Sequence, residues 1–309
     1  MSKHPAIGGI RLCLGGNVFG WTADQDASYA VLDKFYEAGG RMVDTAQGYS
    51  DWAPGHVGGE SEAMIGKWLE ARGVRSDMLI ATKTGMHCNP GDLAPEKVAA
   101  ELDKSLERLR TDYVDLYYAH RDDQTVPLDE VAGGFDALVK AGKVRELGAS
   151  NFTADRLIAA IETAEAAGQT AYSVLQNEYN LVRRSDYEGP VQDLCVARDI
   201  AALPYFGLAS GFLTGKYRSR DDFGQSARGY GMDRFFEQGL PILGVMDVIA
   251  AETGASHAAI ALAWINAQSG IAAPIASART PEQLDALLEA VSLELSGEQL
   301  AQLSAAGSA

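Results

Sequence analysis

Apolar runs of strand length alternate with segments of helical periodicity along almost the whole chain, and this alternation limits the folds available to it. Counting from the amino terminus, the runs predict eight strands, at 10–14, 41–43, 78–82, 114–119, 144–148, 173–176, 200–204 and 271–275. Strands that alternate with helices are typical of α/β proteins with parallel sheets. Eight such units in 309 residues predict a closed (β/α)8 TIM barrel. A doubly wound sheet is the alternative.

The segments between these runs predict helices that end where glycine allows it. Tyr29, Leu32 and Phe35 lie on one helical face, and Gly39 with Gly40 ends that helix. No linker rich in proline, glycine or serine divides the chain, so residues 1–309 are predicted to form a single domain. Gly15-Gly16 followed by Gly20 lacks the spacing of a dinucleotide-binding fingerprint, which favours the barrel over the doubly wound sheet.

Composition narrows the partners and the location. A formal net charge of -16 argues against binding to nucleic acid or to an anionic membrane, because electrostatic repulsion would oppose both. No apolar run is long enough to span a bilayer, and the first residues lack the apolar core of a signal peptide. The three cysteines show no paired spacing, so the sequence suggests neither a disulfide framework nor a zinc site. A cytoplasmic protein fits best.

Four polar residues lie just past or near the ends of predicted strands. Asp44 follows the second strand, and Tyr49 lies one short loop later. Lys83 follows the third strand and His120 the fourth. Because the carboxyl ends of parallel barrel strands meet at one face, we expect these side chains to converge there. A phenol, an ammonium, a carboxylate and an imidazole together can move a proton at a carbonyl oxygen.

Each of the four residues also has an ordinary structural explanation. Asp44 could cap a helix, Lys83 could be a surface charge, Tyr49 could be a packed aromatic, and His120 could be a core histidine. The combination favours the catalytic interpretation, because lysine is depleted in strands and a buried ammonium needs a partner such as Asp44. A phenol held near Lys83 is expected to have a lowered pKa. His120 is expected to orient the carbonyl by hydrogen bonding.

Three segments carry a family resemblance. Residues 43–49 (Val-Asp-Thr-Ala-Gln-Gly-Tyr), 81–85 (Ala-Thr-Lys-Thr-Gly) and 115–120 (Asp-Leu-Tyr-Tyr-Ala-His) resemble the catalytic blocks of the aldo-keto reductases. Residues 59–62 (Gly-Glu-Ser-Glu) resemble the usual start of that family's second helix. The resemblance implies a metal-independent (β/α)8 barrel that reduces aldehydes or ketones, with NADPH preferred to NADH. It also implies Asp44, Tyr49, Lys83 and His120 as the catalytic tetrad, with Tyr49 as proton donor.

The same resemblance implies a set of cofactor-binding residues near the ends of the later strands. Those near the nicotinamide would be Ser150, Asn151, Gln176 and Tyr205. Those covering the pyrophosphate would lie in the segment from Leu208 through Gly211 to Lys216. Those around the 2'-phosphate and adenine would be Ser277, Arg279 and Gln283, in a cofactor-binding segment at about 270–290. Considered alone, Ser150-Asn151 could instead be a helix N-cap before Ala154.

Two other functions are alternatives to that of a small-molecule carbonyl reductase. Relatives of potassium-channel β subunits share this barrel and tetrad, so a cofactor-sensing regulatory protein with weak turnover is the alternative. A metal-dependent barrel hydrolase would need clustered ligands at several strand ends, and the remaining histidines do not lie at predicted strand ends. The candidates for the substrate pocket fall in loops at the active end of the predicted barrel; they are Trp21, Trp52, His87 and Phe223. The sequence leaves the substrate and the oligomeric state open.

Overall fold

A computed structural model describes residues 9–225 and 229–307, together with His4 and Ile7. Eight parallel strands form one sheet in the order β7-β6-β5-β4-β3-β2-β1-β8. The strands are β1 (Cys13–Gly15), β2 (Met42–Asp44), β3 (Leu79–Thr84), β4 (Val114–Ala119), β5 (Val144–Ser150), β6 (Val174–Gln176), β7 (Ala201–Ala202) and β8 (Ile275–Ala276). Neighbours in the sheet follow chain order, as expected when each crossover carries a helix.

Backbone hydrogen bonds also close the sheet between β7 and the chain that leads into β8. The amide of Ala202 donates to the carbonyl of Gly270 at 3.0 Å, and the amide of Ala272 donates back to Ala202 at 2.8 Å. The amide of Ile275 donates to the carbonyl of Pro204 at 2.8 Å. The predicted (β/α)8 barrel is therefore confirmed, and the doubly wound alternative is wrong.

Of the predicted strands, only the one at 114–119 has the observed bounds, and the first and last differ most from the prediction. The first strand, predicted at 10–14, runs from Cys13 to Gly15. The last, predicted at 271–275, is only Ile275–Ala276, and Ile271 forms an isolated bridge with Ala202. Pro274 lies between these two points, and proline has no amide hydrogen to donate to a ladder. The apolar run therefore splits into two short pairings.

Helices follow the strands and pack around the barrel. They are α1 (Gln25–Glu37), α2 (Glu60–Arg72), α3 (Pro95–Leu109), α4 (Leu128–Lys140), α5 (Ala154–Ala166), α6 (Pro190–Ala197), α7 (Asp233–Thr253), α8 (His257–Asn266), α9 (Pro281–Ser292) and α10 (Gly297–Ala306). Helix α3 shows how the sequence determines them: Pro95 opens it, and Val98, Leu102 and Leu109 are buried on one face.

The apolar interior has two layers. A larger cluster lies between strands and helices, and a smaller one, including Cys13, Met42 and Leu116, forms a second layer of buried side chains. Within the described residues, no single helix is long and apolar enough to cross a membrane. Helices α7 and α8, bent by 98° to one another, have the length and composition of a membrane-spanning segment only when they are taken as a pair.

Candidate active site

Lys83 lies on β3, and its ammonium group is the centre of a compact hydrogen-bonded cluster. The side chain is 0% exposed. Its Nζ donates to Asp44 Oδ2 at 2.6 Å, to the carbonyl of Thr45 at 2.8 Å and to the hydroxyl of Tyr49 at 2.9 Å. An ammonium group has three hydrogens, and all three are used here. The structure thus brings Asp44, Tyr49 and Lys83 together as the sequence predicted.

Asp44 has contacts on both carboxylate oxygens. Oδ2 accepts from Lys83 and, at 3.3 Å, from the Tyr49 hydroxyl, while Oδ1 accepts from Gln176 Nε2 at 2.9 Å. The family resemblance implies a role for Gln176 in cofactor binding alone. In the structure its amide also orients Asp44 from the opposite side of the barrel, from β6. A buried carboxylate with both oxygens bonded is held in one orientation.

The pKa values in this cluster follow from burial. Burial lowers the pKa of Lys83, and the adjacent Asp44 carboxylate opposes that shift. Burial and the Asp44 charge raise the pKa of Tyr49 well above its usual value. The lowered pKa expected from Lys83 alone is therefore wrong for this arrangement, because desolvation and a negative neighbour outweigh the single ammonium. Tyr49 is a neutral phenol at neutral pH and carries the proton that an acid must donate.

His120 follows β4 and faces Tyr49. Their ring centroids are 6.2 Å apart, with the rings steeply inclined at 72°. Burial, reinforced by the positive charge of Lys83, lowers the pKa of His120 well below 6.5, so the imidazole is neutral at pH 7. Its Nδ1 is buried and has no hydrogen-bond partner among the described residues. A neutral imidazole beside the phenol can donate one hydrogen bond to a substrate oxygen.

Ser150, Asn151 and Tyr205 form one network next to this cluster. The Tyr205 hydroxyl donates to Asn151 Oδ1 at 2.7 Å, and Asn151 Nδ2 donates to the carbonyl of His120 at 2.9 Å. Ser150 Oγ donates to the main-chain carbonyl of Gln176 at 2.7 Å. The alternative role of Ser150-Asn151 as a helix cap is wrong, because the cap of α5 is Thr153. Their side chains are committed to the active end of the barrel.

The loop after β7 has unusual backbone geometry. Three successive residues, Ala209, Ser210 and Gly211, have positive φ angles of 47°, 57° and 96°. Non-glycine residues in this region cost roughly 1–3 kcal/mol each, and such strain clusters at ligand-binding sites. Leu208 begins this turn, and Lys216 follows it with no carboxylate partner among the described residues. The turn lies where sequence reasoning expected the pyrophosphate.

The segment after β8 contains the remaining predicted cofactor residues. Ser277 Oγ donates to Asn17 Oδ1 at 2.6 Å, which ties this segment to the loop after β1. Gln283 Oε1 accepts from the amide of Arg279 at 3.0 Å, on the first turn of α9. The guanidinium of Arg279 has no carboxylate partner among the described residues. A free guanidinium next to a helix N-terminus suits an anion.

Aromatic side chains continue outward from Tyr49. The rings of Tyr49 and Trp52 are 6.1 Å apart, and those of Trp52 and Trp21 are 5.4 Å apart. Trp52 is 47% exposed, which is unusual for so large an aromatic. His87 Nε2 lies 2.6 Å from Asp51 Oδ2 and joins two loops beside this row. Phe223 is placed elsewhere, against Tyr217 and Phe236.

Several contacts of the site have little or no signal in the sequence, because they depend on main-chain atoms or on residues distant in sequence. The carbonyl of Thr45 is one of the three acceptors of Lys83. Asn17 and Asp51 each hold a predicted site residue in place. Of these, only Thr45 carried a local signal, since it directly follows Asp44. In the described part of the chain, no group of three or more His, Cys, Asp or Glu side chains is arranged to hold a metal ion.

The sequence model of the Aldo/keto reductase family matches residues 11–307. This match spans every strand that carries the cluster around Lys83. The chain belongs to the aldo/keto reductase family. The resemblance inferred from the three motifs is thereby confirmed, and the protein is an oxidoreductase enzyme.

Similar proteins come from fungi and bacteria. Norsolorinic acid reductase stcV of Emericella nidulans is 32% identical over 96% of this chain and 79% of its own length. Aryl-alcohol dehydrogenase [NADP(+)] of Phanerodontia chrysosporium is 32% identical over 90% of this chain and 75% of its own length. The uncharacterized oxidoreductase YrpG of Bacillus subtilis is 32% identical over 95% of this chain and 90% of its own length. This aldo/keto reductase therefore aligns with them over most of the barrel.

Proposed function

We propose that this aldo/keto reductase reduces a small aldehyde or ketone with NADPH, and that Tyr49 donates the proton to the carbonyl oxygen. The observation that carries this proposal is the coordination of Lys83 Nζ, which reaches the Asp44 carboxylate and the Tyr49 hydroxyl at once. Burying a charged group costs free energy, and a barrel core that served only to hold the fold together would not require an ammonium 2.9 Å from a phenol. Proton transfer at this position does need it.

Each member of the cluster has a separate task in this mechanism. Tyr49 is protonated before the reaction, because burial and Asp44 raise its pKa. As its proton leaves, the Lys83 ammonium stabilises the negative charge that develops on the phenol oxygen. Asp44 holds that ammonium in place. His120, neutral because burial lowers its pKa, donates a hydrogen bond to the substrate oxygen and so aligns it with Tyr49.

The described residues fit a dinucleotide cofactor. Relatives named as NADP(+) enzymes in Phanerodontia chrysosporium and Schizosaccharomyces pombe support NADPH in particular. When bound, NADPH supplies the hydride that reduces the carbonyl carbon. Ser150, Asn151 and Gln176, which lie close together at this end of the barrel, would hold its carboxamide, and the ring of Tyr205 would provide a stacking face.

The phosphates would be bound at two positions. The strained turn at 208–211 lies beside Lys216, which forms no ion pair with a carboxylate of the described residues, in a protein whose net charge is -16. Arg279 and the first turn of α9 would take the 2'-phosphate, within the cofactor segment at about 270–290. Preference for NADPH over NADH would then rest on Arg279.

The row of rings from Tyr49 through Trp52 to Trp21 favours a flat, aromatic carbonyl substrate. Aromatic rings stack on or against one another with about 0.5–1.5 kcal/mol beyond the burial of their area. The name of one relative, an aryl-alcohol dehydrogenase, points the same way. His87, held by Asp51, would border this pocket.

A turnover assay tests the proposal. The purified protein is mixed with NADPH and a panel of aromatic aldehydes, aliphatic aldehydes, ketones and sugars, and NADPH absorbance is followed. We expect aromatic aldehydes to give the highest kcat/KM. Tight NADPH binding with negligible turnover of every carbonyl would instead support the regulatory alternative. The cytoplasmic location and the single-domain organisation stay predictions from the sequence.

A further inference from the structure

A set of buried polar contacts lies between helix α2 and the strands that carry Asp44 and Lys83. It is formed by Ser61 and Glu62, in the first turn of α2, and both residues are 0% exposed. Glu62 Oε1 accepts from the hydroxyl of Thr82 at 2.6 Å, and Oε2 accepts from Arg108 Nη1 at 2.9 Å. Each carboxylate oxygen therefore has a partner, and Arg108 balances the buried charge.

The contact with Thr82 bears directly on Lys83, the next residue in β3. Successive side chains of a strand point to opposite faces of the sheet. Thr82 therefore points toward the helices while Lys83 points into the barrel. A carboxylate that fixes the Thr82 side chain also fixes the strand segment from which Lys83 projects.

Ser61 acts on the neighbouring strand in the same way. Its Oγ donates to the carbonyl of Gly16 at 2.7 Å, which uses its only hydrogen. In the 2.8 Å contact between Ser61 Oγ and Thr45 Oγ1, Thr45 is therefore the donor. The main-chain carbonyl of the same Thr45 accepts from Lys83 Nζ at 2.8 Å. Ser61 thus holds one of the three acceptors of the ammonium, while Glu62 holds the strand that carries it.

We propose that Ser61 and Glu62 are positioning residues for the reaction, and that they set the three-acceptor coordination of Lys83 by fixing β2 and β3 from behind. This inference rests on the proposed function, which assigns Lys83 its role. Catalytic groups must be held within about 0.5 Å of their productive geometry by residues that are themselves fixed. Glu62 also favours the charged form of Lys83, whose pKa is lowered by burial.

Thr82 offers a matched pair of variants. Thr82→Val keeps the shape of the side chain and removes the hydroxyl that Glu62 binds, whereas Thr82→Ser keeps the hydroxyl. We expect Thr82→Val to lower kcat on the order of 10–100-fold, the usual loss when a supporting residue is removed, and Thr82→Ser to retain most of the activity. The dissociation constant of NADPH should hardly change in either Thr82 variant, because the Thr82 side chain points toward the helices and away from the proposed cofactor site.

Glu62→Gln tests the charge separately, because glutamine can still accept from Thr82. Without the carboxylate, Lys83 loses its proton more readily, so the alkaline limb of kcat/KM should move to lower pH. A purely structural role for Glu62 would leave that limb where it is. This readout also stands if Thr82→Val fails to fold.

Asp115, in β4, provides the control, because it contacts β3 at the end away from Lys83. This buried carboxylate accepts from the amide of Ile80 in β3 at 2.9 Å and pairs with Arg75 at 2.9 Å. Asp115→Asn should lower the stability but leave kcat and the pH profile unchanged. If Thr82→Val and Glu62→Gln behave like Asp115→Asn, the positioning proposal is overturned. Full turnover in Lys83→Met would instead overturn the proposed function on which it rests.

Discussion

Replacing Lys83 with methionine should lower both the free energy of unfolding and the turnover rate of the enzyme. The side chain is fully buried, and its three hydrogen bonds go to Asp44, to the carbonyl of Thr45 and to Tyr49. Methionine fills a similar volume but offers no hydrogens. Within the described part of the chain, the Asp44 carboxylate would keep its contact with Gln176 and a 3.3 Å contact with Tyr49. A buried charge left without its partner costs about 3–5 kcal/mol of unfolding free energy.

A double variant separates stability from catalysis. Asp44→Asn combined with Lys83→Met removes both charges, so it should recover about 0.5–3 kcal/mol of the loss, the coupling typical of contacting residues. Turnover should stay low in both the single and the double variant, because the Tyr49 phenolate is no longer stabilised. We expect kcat to fall on the order of 10²–10³-fold in each. Urea unfolding gives the stabilities and a carbonyl reduction assay gives kcat. The reasoning is refuted if Lys83→Met retains normal turnover, or if the double variant is no more stable than Lys83→Met.

Three further perturbations test the cofactor site, the histidine and the pocket. Arg279→Ala should weaken NADPH binding by about 1.5–3 kcal/mol, or roughly 10- to 150-fold, and hardly change NADH binding; equal losses by fluorescence titration would show that Arg279 acts through loop structure. Burial holds the pKa of His120 well below 6.5, so kcat/KM measured between about pH 5 and 8 should show no acid limb near pH 6.5. An acid limb near pH 6.5 would contradict a buried neutral imidazole. Trp52→Ala should raise KM for aromatic aldehydes by roughly 2- to 12-fold and spare short aliphatic ones, with Trp52→Phe as control; equal effects on both classes would argue against ring stacking.

The barrel and the grouping of its polar residues could be predicted from local patterns. Asp44, Lys83 and His120 each follow an apolar run, and parallel strands bring their carboxyl ends to one face. That rule needs no knowledge of distances. It explains why the sequence placed the cluster correctly although most strand ends were misplaced, including the last strand, where Pro274 interrupts the pairing.

The electrostatics could not be predicted in this way. The expected lowering of the Tyr49 pKa considered Lys83 alone, whereas the pKa is raised by burial and by Asp44. Desolvation depends on how the whole barrel closes around a group, which no single motif specifies. The link between Gln176 and Asp44, 132 positions apart in sequence, was equally invisible before the barrel was formed.

The central claim is that Tyr49 donates the proton, and Tyr49→Phe tests it most directly. Phenylalanine keeps the ring that packs against Trp52 and His120 and removes only the hydroxyl. The measurement is the rate of NADPH oxidation in a single turnover with an aromatic aldehyde, together with the dissociation constant of NADPH. We expect the rate to fall about 10²–10⁴-fold, the usual contribution of a general acid, with NADPH binding unchanged. A near-normal rate with intact binding would contradict the assignment of Tyr49 as the acid.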